Sequence, residues 1–318
     1  MLPSESEHPY LPPELEREIF EAAAAQYPNT IPALFLVSHR VYDWVGKIKY
    51  RTIFPRRETD SSPKFDPTCS PMELLEAIDS KQKHASFFSS RVKHLFLQNL
   101  NHANLVAILS ECNKIDSLVL LNPLTSPGQF FSLEELWVIH PIKLGLRFNE
   151  VTKAMDLEII PQPIHPVLTS VTHLDLYDDR HRNDLADQLA LLPTLTHLSI
   201  WTGSRSSAEM SAILVKCRSL QALVDMHGGF IDENETHPTF HENERSACTD
   251  DLRFVSVSLD EDMHLADWII GTQGGIDFWA QADRFIAKRR RGEIQPSLFI
   301  SCDICLVSSM SAYRLADT

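Results

Sequence analysis

Three histidines in the same local context are the first candidates for chemistry in this chain. His94, His173 and His197 each stand one residue before a leucine in a short apolar segment. If these segments are strands, the last two histidines lie on neighbouring strands about 5 Å apart, close enough to share a metal ion. No third ligand accompanies them in the sequence. The pattern therefore favours surface histidines that repeat with the strands over a metal site.

Two further groups of possible metal or redox residues have weaker patterns. His237 and His241 are four residues apart, but their segment lacks the glutamate of an HExxH helix and contains Pro238, which favours a loop. Cys302 and Cys305 form a single CxxC pair, and no second pair is present to complete a zinc site. We therefore expect free thiols, no metal and no cofactor.

The sequence also lacks the motifs of common enzyme classes. It contains no GxSxG nucleophile motif, no GxGxxG dinucleotide motif and no GxxxxGK[ST] phosphate loop, and Gly274-Gly275 does not follow a strand pattern. The remaining serine, histidine and aspartate residues are scattered and do not indicate a catalytic triad. We predict that the protein is not an enzyme, and a hydrolase with an unrecognised site is the least favoured alternative.

Composition excludes several classes of partner. The 318 residues carry 43 acidic and 29 basic side chains, a formal charge of -14. Such a surface repels phosphate backbones and anionic lipid headgroups, so we expect neither nucleic acid nor membrane as a partner. No apolar run approaches the roughly 20 residues of a membrane span, and the N-terminal residues do not resemble a signal peptide. Six cysteines are too few for a disulfide scaffold, which favours the cytoplasm or the nucleus.

Six segments of the form apolar-x-x-Leu-x-apolar predict a series of strands. Their central leucines are 23, 18, 38, 24 and 25 residues apart, and the long step predicts an irregular or missing repeat around residues 141–170. Helical patterns lie between the segments, and a further strand from Arg253 is expected to close the array. Alternating strands and helices predict an α/β solenoid. The central leucines are Leu95, Leu118, Leu136, Leu174, Leu198 and Leu223.

The residues that alternate with these leucines would line the opposite, concave face of the strands, and they are unexpectedly apolar. Two interpretations have equal weight. The face is either an exposed surface that binds a protein substrate, or it is covered by residues 141–170, by the C-terminal tail or by burial of both strand faces. The residues concerned are Phe96, Val119, Leu121, Trp137, Ile139, Tyr177, Trp201 and Met226.

Two amphipathic helices are predicted before the strands. The first starts at Pro12-Pro13, because proline is tolerated in a first helical turn, and it ends at Tyr27. The second starts at the cap Thr30 and runs through Val45. Such short helices bury too little apolar surface to offset the entropy of ordering them. They must therefore pack on a partner or on the next domain.

The residues of these two helices resemble the F-box motif. Leu11-Pro12, Glu14-Leu15, Ile19-Phe20, Val37-Ser38 and Tyr50-Arg51 carry the resemblance, within residues 11–51 of the chain. The pattern is especially similar to F-box-like proteins of mushroom-forming fungi, and so is the segment WAQADRFIAKRRRGEI near the C-terminus. The strand repeats in turn resemble divergent leucine-rich repeats, although the asparagine typical of such repeats is absent.

The resemblance implies a function in protein degradation. An F-box binds a Skp-type linker protein and, through it, a cullin-RING ubiquitin ligase, while the repeat domain binds the protein substrate. We therefore expect a substrate-receptor adaptor of an SCF-type ligase, and a ligase-independent interaction scaffold is the alternative. The linker-binding residues that the resemblance implies are Leu11, Pro12, Leu15, Ile19, Phe20, Leu34, Val37, Ser38, Val41, Trp44 and Tyr50.

These patterns divide the chain into five parts. We predict an F-box-like helical domain at residues 1–54, a linker with a short helix at 55–90 and a repeat domain at 91–270. A C-terminal capping helix at 271–292 is expected to start at the N-cap Asp277, and residues 293–318 form a tail. The basic run Lys288 to Arg291 suits the C-terminal end of that helix. A nuclear import signal is the alternative for this run.

Overall fold

Eight short parallel strands form one sheet, and their spatial order is the order of the sequence. The computed structural model describes residues 11–27, 30–55, 69–81, 86–121, 133–147, 164–177, 185–201, 207–227, 250–259 and 261–294. Within these ranges the protein is α/β. The strands are β1 (Thr52–Ile53), β2 (His94–Gln98), β3 (Ser117–Leu121), β4 (Lys143–Arg147), β5 (His173–Tyr177), β6 (His197–Trp201), β7 (Ala222–His227) and β8 (Phe254–Ser258).

Helices connect the strands and cover both sides of the sheet. Two short 3-10 helices, Glu134–Val138 and Pro166–Leu168, replace α-helices before β4 and β5. No described helix is both long and apolar enough to cross a bilayer. The α-helices are α1 (Pro13–Gln26), α2 (Ile31–Leu34), α3 (His39–Arg51), α4 (Pro71–Asp79), α5 (Phe87–Arg91), α6 (His102–Glu111), α7 (Leu185–Leu189), α8 (Ser207–Lys216), α9 (Glu261–Thr272) and α10 (Phe278–Arg290).

One side of the sheet, which we call the leucine face, carries the main core. Strand pairing aligns one buried residue from each strand, so that Leu95 lies beside Leu118 and Leu174 beside Leu198. The same register forms a second row through Leu97, Leu120, Leu146, Leu176 and Ile200. Both rows are buried against apolar residues of α4 to α8 and of the two 3-10 helices. This continuous apolar contact is the main favourable term that holds the strands together.

The third predicted strand was wrong. The segment around Leu136 is the 3-10 helix Glu134–Val138, and Leu136 enters the leucine-face core from that helix. The strand of this repeat is β4, where Leu144 pairs with Leu118 on one side and Leu174 on the other. Pro141 is buried where the other repeats have Val, Ile or Leu, three residues before the central leucine. This proline concealed the repeat in the sequence.

The opposite side of the sheet, the second face, is covered by α9 and α10. Towards β2 and β3, Phe96 and Val119 pack with Trp268 of α9. Towards β7 and β8, Val224 and Val257 pack with α10, whose buried residues are Phe278, Trp279, Ala282, Ile286 and Arg289. The prediction of a helix capped by Asp277 is confirmed, because the Asp277 carboxylate accepts a hydrogen bond from the Ala280 amide.

The three N-terminal helices form a small core of their own. Ala24, Ile31, Val41 and Val45 are its buried members. The prediction of one continuous second helix was wrong, since Ser38 has an extended backbone and caps a new helix, α3, by accepting a hydrogen bond from the Val41 amide. The break divides the predicted helix into α2 and α3.

This N-terminal module is joined firmly to the sheet. Tyr50 of α3 makes edge-on ring contacts with Phe87 and Phe88 of α5, each at 5.5 Å. Asp43 pairs with Arg91 at 2.7 Å. The strand β1 follows α3 directly and pairs with β2, so the sheet begins inside residues 1–54. The module and the sheet therefore share backbone pairing as well as side-chain contacts.

Candidate functional site

The N-terminal module exposes a group of apolar side chains. Leu11, Leu15 and Ile19 recur every four residues and are 54%, 47% and 53% exposed. Leu36 and Val37, just before α3, are 87% and 55% exposed. An ion pair of 2.7 Å between Glu16 and Arg40 holds the start of α3 beside the first turns of α1. We call these five apolar residues the module surface.

The implied linker-binding residues divide into two groups. Leu11, Pro12, Leu15, Ile19 and Val37 are exposed. The others have structural contacts: Ser38 caps α3, Phe20, Leu34 and Trp44 pack on the module core, and Val41 is buried in it. Tyr50 is buried in the core of the sheet, against α5. Leu36, two residues before the cap Ser38, was not selected from the sequence.

The predicted concave-face residues also divide. Phe96, Val119 and Met226 are buried beneath α9 and α10, while Leu121, Tyr177 and Trp201 are partly buried there. The face is thus covered, as one of the two interpretations held: α9 and α10 pack on it, so these strands are buried on both faces. Residues 148–163 and 295–318, which include parts of the other expected covers, lie outside the described residues. Trp137 and Ile139 belong to the other side, where Ile139 joins the leucine-face core and Trp137 is 41% exposed.

A hydrogen-bonded group at Asp175 fixes α9 to the second face. Asp175 accepts hydrogen bonds from the Tyr177 hydroxyl at 2.7 Å and from the Trp201 indole at 2.9 Å. His264 of α9 lies 3.1 Å from the same carboxylate. Burial raises the pKa of Tyr177 well above its usual range, and the negative charge of Asp175 raises it further. The Tyr177 hydroxyl therefore stays protonated and keeps donating its hydrogen bond.

Within the described residues this group contains no serine or cysteine nucleophile. Among the described residues, His264 hydrogen-bonds to Asp175 and Tyr177 and to no serine or cysteine. A triad needs a nucleophile within hydrogen-bond reach of the histidine. Asp175 was not selected from the sequence, yet a carboxylate between two leucines of a buried strand was a usable signal.

The two aligned histidines are close together, as the strand pattern predicted, but they are not surface residues. His173 pairs with His197 in the β5 and β6 register, and Trp279 of α10 packs edge-on against both rings. His94 begins β2, and two strands, β3 and β4, lie between it and the strand of His173. Throughout the described ranges, no group of three His, Cys, Asp or Glu residues has an arrangement that could hold a metal ion.

A cavity of about 150 Å³ lies between the second face and the end of α9 and start of α10. Its floor is the N-terminal ends of β2 to β5, and Gly145 of β4 lines it without a side chain. Lys143 crosses part of the space to pair with Asp277 at 2.9 Å. Its polar lining residues include His94, Asp116, Ser117, Lys143, His173, Asp175, His264, Asp267, Thr272 and Asp277.

His94 is the least satisfied side chain of this cavity. Both of its ring nitrogens are buried, and neither has a hydrogen-bond partner among the described residues. Burial, together with the nearby positive charge of Arg51, lowers the pKa of His94 to about 4. The ring is therefore neutral at physiological pH and adds no positive charge to the cavity.

The cysteines and the remaining motifs add no site in the described residues. Cys69, Cys112 and Cys217 are buried free thiols, and burial raises the pKa of Cys217 to about 11. Such thiols are protonated and unreactive at neutral pH. His237, His241, Cys302 and Cys305 lie outside the described residues.

Comparisons with known proteins do not assign the chain to a family. No protein-family model matches it, and no curated protein matches it in sequence.

Proposed function

We propose that this protein is a substrate-receptor adaptor of an SCF-type cullin-RING ubiquitin ligase, with the N-terminal module bound to a Skp-type linker protein. The module surface is the observation that carries the proposal. The F-box resemblance selects Leu11, Leu15, Ile19 and Val37 for linker binding, and all four are exposed although they are apolar. Clustered exposed apolar side chains of this kind are typical of protein interfaces.

We also propose that the sheet is an irregular leucine-rich-repeat-like solenoid that presents the target. Parallel strands in sequence order and aligned leucines 23 to 30 residues apart, from Leu95 to Leu223, support this interpretation. Because α9 and α10 cover the second face, a target that binds on this side meets these two helices and the cavity mouth. Phe96, Val119 and Met226 are then core residues beneath them.

A binding assay with purified Skp-type linker tests the first proposal. Leu15→Asp and Ile19→Asp place a charge on the module surface without entering the module core, so both variants should fold. Each should weaken linker binding at least tenfold, because central apolar anchors contribute about 2 kcal/mol or more to an interface. The Phe20→Asp change is unsuitable, since Phe20 packs on the core of the module.

Val215→Asp is the matched control. Val215 is 72% exposed on α8, on another part of the molecule, and receives the same change in charge and polarity. Its linker affinity should equal that of the wild type. Failure of the wild type to bind the linker, or equal binding by Leu15→Asp, would overturn the adaptor proposal. Copurification of cullin and RING subunits then separates an adaptor from a ligase-independent scaffold.

A further inference from the structure

The floor of the cavity beneath α9 and α10 includes one strand position without a side chain. Gly145 occupies the second-face position of β4, between Val119 of β3 and Asp175 of β5. A Cβ atom at this position would lie 3.0 Å from a methyl carbon of Val119 and 3.3 Å from the Tyr177 ring, so only glycine fits without displacement. The cavity, with a volume of about 150 Å³, can hold a molecule of about six non-hydrogen atoms.

The lining of this cavity has an excess of negative charge. Among the described residues it includes four carboxylates, Asp116, Asp175, Asp267 and Asp277, and one lysine, Lys143. Lys143 already pairs with Asp277. The two histidines at the floor do not compensate, because burial keeps them neutral at physiological pH. An anion is therefore disfavoured here, in keeping with the chain's formal charge of -14.

The walls and the mouth are also suited to a cation. Trp268, Phe278 and Trp279 line the cavity, and aromatic rings attract ammonium and guanidinium groups. At the mouth, Asp116 is exposed, and its carboxylate forms no ion pair or hydrogen bond with any described residue. An entering ligand meets this carboxylate before it reaches the enclosed space.

We propose that the cavity binds a small organic cation, an alkylammonium or guanidinium group, with Asp116 as the carboxylate at its mouth and aromatic side chains as its walls. The group is either a free small cation or the end of a lysine or arginine side chain on a bound protein. The second source would give the adaptor a basic residue to recognise in its target. Cation binding itself does not depend on whether the N-terminal module binds a linker.

Titration of the full chain at low salt with ethylguanidinium, followed by ligand-observed NMR, tests this proposal. Ethylurea is the neutral probe of the same size and shape. Saturable binding of ethylguanidinium, with ethylurea at least tenfold weaker, is the expected result. Equal binding of the two probes, or no saturable binding of ethylguanidinium, overturns the proposal.

Two variants with opposite effects locate the binding in this cavity. Asp116→Lys should weaken ethylguanidinium binding about tenfold or more, whereas Lys143→Met removes a positive charge from the cavity lining and should tighten binding about threefold. Glu134→Lys, at an exposed position on the other side of the sheet, changes the net charge as Asp116→Lys does and should leave binding unchanged. Equal weakening by Asp116→Lys and Glu134→Lys would show only a general charge effect and would refute the cavity site.

Blocked tripeptides distinguish the two sources of the cation. Acetyl-Gly-Arg-Gly-amide binds with an affinity similar to that of ethylguanidinium if the cavity accepts a side chain from a protein. If the peptide is excluded while ethylguanidinium binds, the natural ligand is a free small cation. Asp116→Lys should weaken peptide binding as it weakens ethylguanidinium binding.

Discussion

The imidazole rings of His173 and His197 stack face to face, with centroids 4.1 Å apart and planes inclined by only 4°. Each ring nitrogen Nδ1 lies 2.8 Å from the hydroxyl of the preceding threonine. The other nitrogen of His197 reaches Asp283 of α10 at 3.0 Å. The aligned histidines therefore form part of the contact between the sheet and α10, with Trp279 packed against their edges.

The first prediction concerns the dependence of stability on pH. Burial, together with the neighbouring His197 and Lys143, lowers the pKa of His173 to about 3. Because an unfolded histidine has a pKa of roughly 6.5, the unfolded chain binds this proton more readily than the folded chain. The stabilisation from the neutral ring is thus present above about pH 6.5 and is lost as the pH falls towards 3. The urea concentration at the unfolding midpoint should decrease as the pH is lowered from 7 to 4.

A glutamine at position 173 tests the origin of this effect. His173→Gln cannot take up the proton, so its unfolding midpoint should change less with pH than that of the wild type. His140→Gln removes an exposed histidine and should retain the wild-type pH dependence. An identical pH dependence in the wild type and His173→Gln would contradict this account.

The second prediction concerns the close approach of α9 to the start of α10. A Cβ atom at Gly271 would lie 2.5 Å from Asp277 Oδ2 and 2.9 Å from Asp277 Cβ. Gly271→Ala should therefore displace Asp277, weaken its contact with Lys143 and lower the free energy of unfolding by about 1 to 3 kcal/mol. Chemical denaturation measures this change.

Gly46→Ala is the matched control for this substitution. Gly46 lies inside α3, and a Cβ atom there would have ordinary contacts of 3.6 Å and 3.9 Å with Arg91 and Phe87. Since glycine weakens a helix interior, this change should stabilise the protein by about 0.5 to 1 kcal/mol. If both alanine substitutions changed the free energy of unfolding equally, the close approach of Asp277 would not be the reason for glycine at position 271.

The third prediction separates the two tryptophans that the sequence placed on one surface. Trp201 donates a hydrogen bond to Asp175 and stacks on Tyr177 at 5.7 Å, so Trp201→Ala should cost about 3 kcal/mol or more of stability. Trp137 is largely outside the core, and Trp137→Ala should cost less than about 1 kcal/mol. Differential scanning calorimetry of both variants decides, and a near-wild-type melting temperature for Trp201→Ala would contradict its core role.

The fourth prediction concerns the hydrogen-bonded group at Asp175. Asp175→Ala leaves the Tyr177 hydroxyl and the Trp201 indole without their acceptor, and should lower the free energy of unfolding by about 3 kcal/mol or more. Tyr177→Phe removes one donor and leaves no other donor without an acceptor, so it should lower the free energy of unfolding by only about 1 kcal/mol. Urea unfolding of both variants measures the difference, and equal costs would argue against a shared acceptor.

The strands were predictable because burial of a leucine row requires an apolar residue at the same position of each repeat. Val92 and Leu95, like their equivalents in later repeats, must be apolar to fill the space between the sheet and the helices. The pattern misled at β4, where Pro141 takes the apolar position and Lys143 and Gly145 occupy the second-face positions. The sequence thus located most of the strands and misplaced one.

The elements that cover the second face could not be predicted from the sequence, for a physical reason. An apolar strand face requires burial, but its sequence does not specify which element buries it. The apolar stripe of α9 would likewise suit several surfaces. The cavity was missed for the same reason, since His94, Lys143 and Asp277 come together only through this packing. In the N-terminal module, the extended backbone of Ser38 also had no signal beyond the serine itself.

Helix α9 also limits how this architecture can change in length. Near its end Thr272 contacts Thr52 of β1, and near its start His264 contacts Asp175 of β5, so one helix reaches across five consecutive strands. Loss or duplication of a strand within that span would separate one of these pairs. The helix therefore limits the number of strands that the sheet can have between β1 and β5.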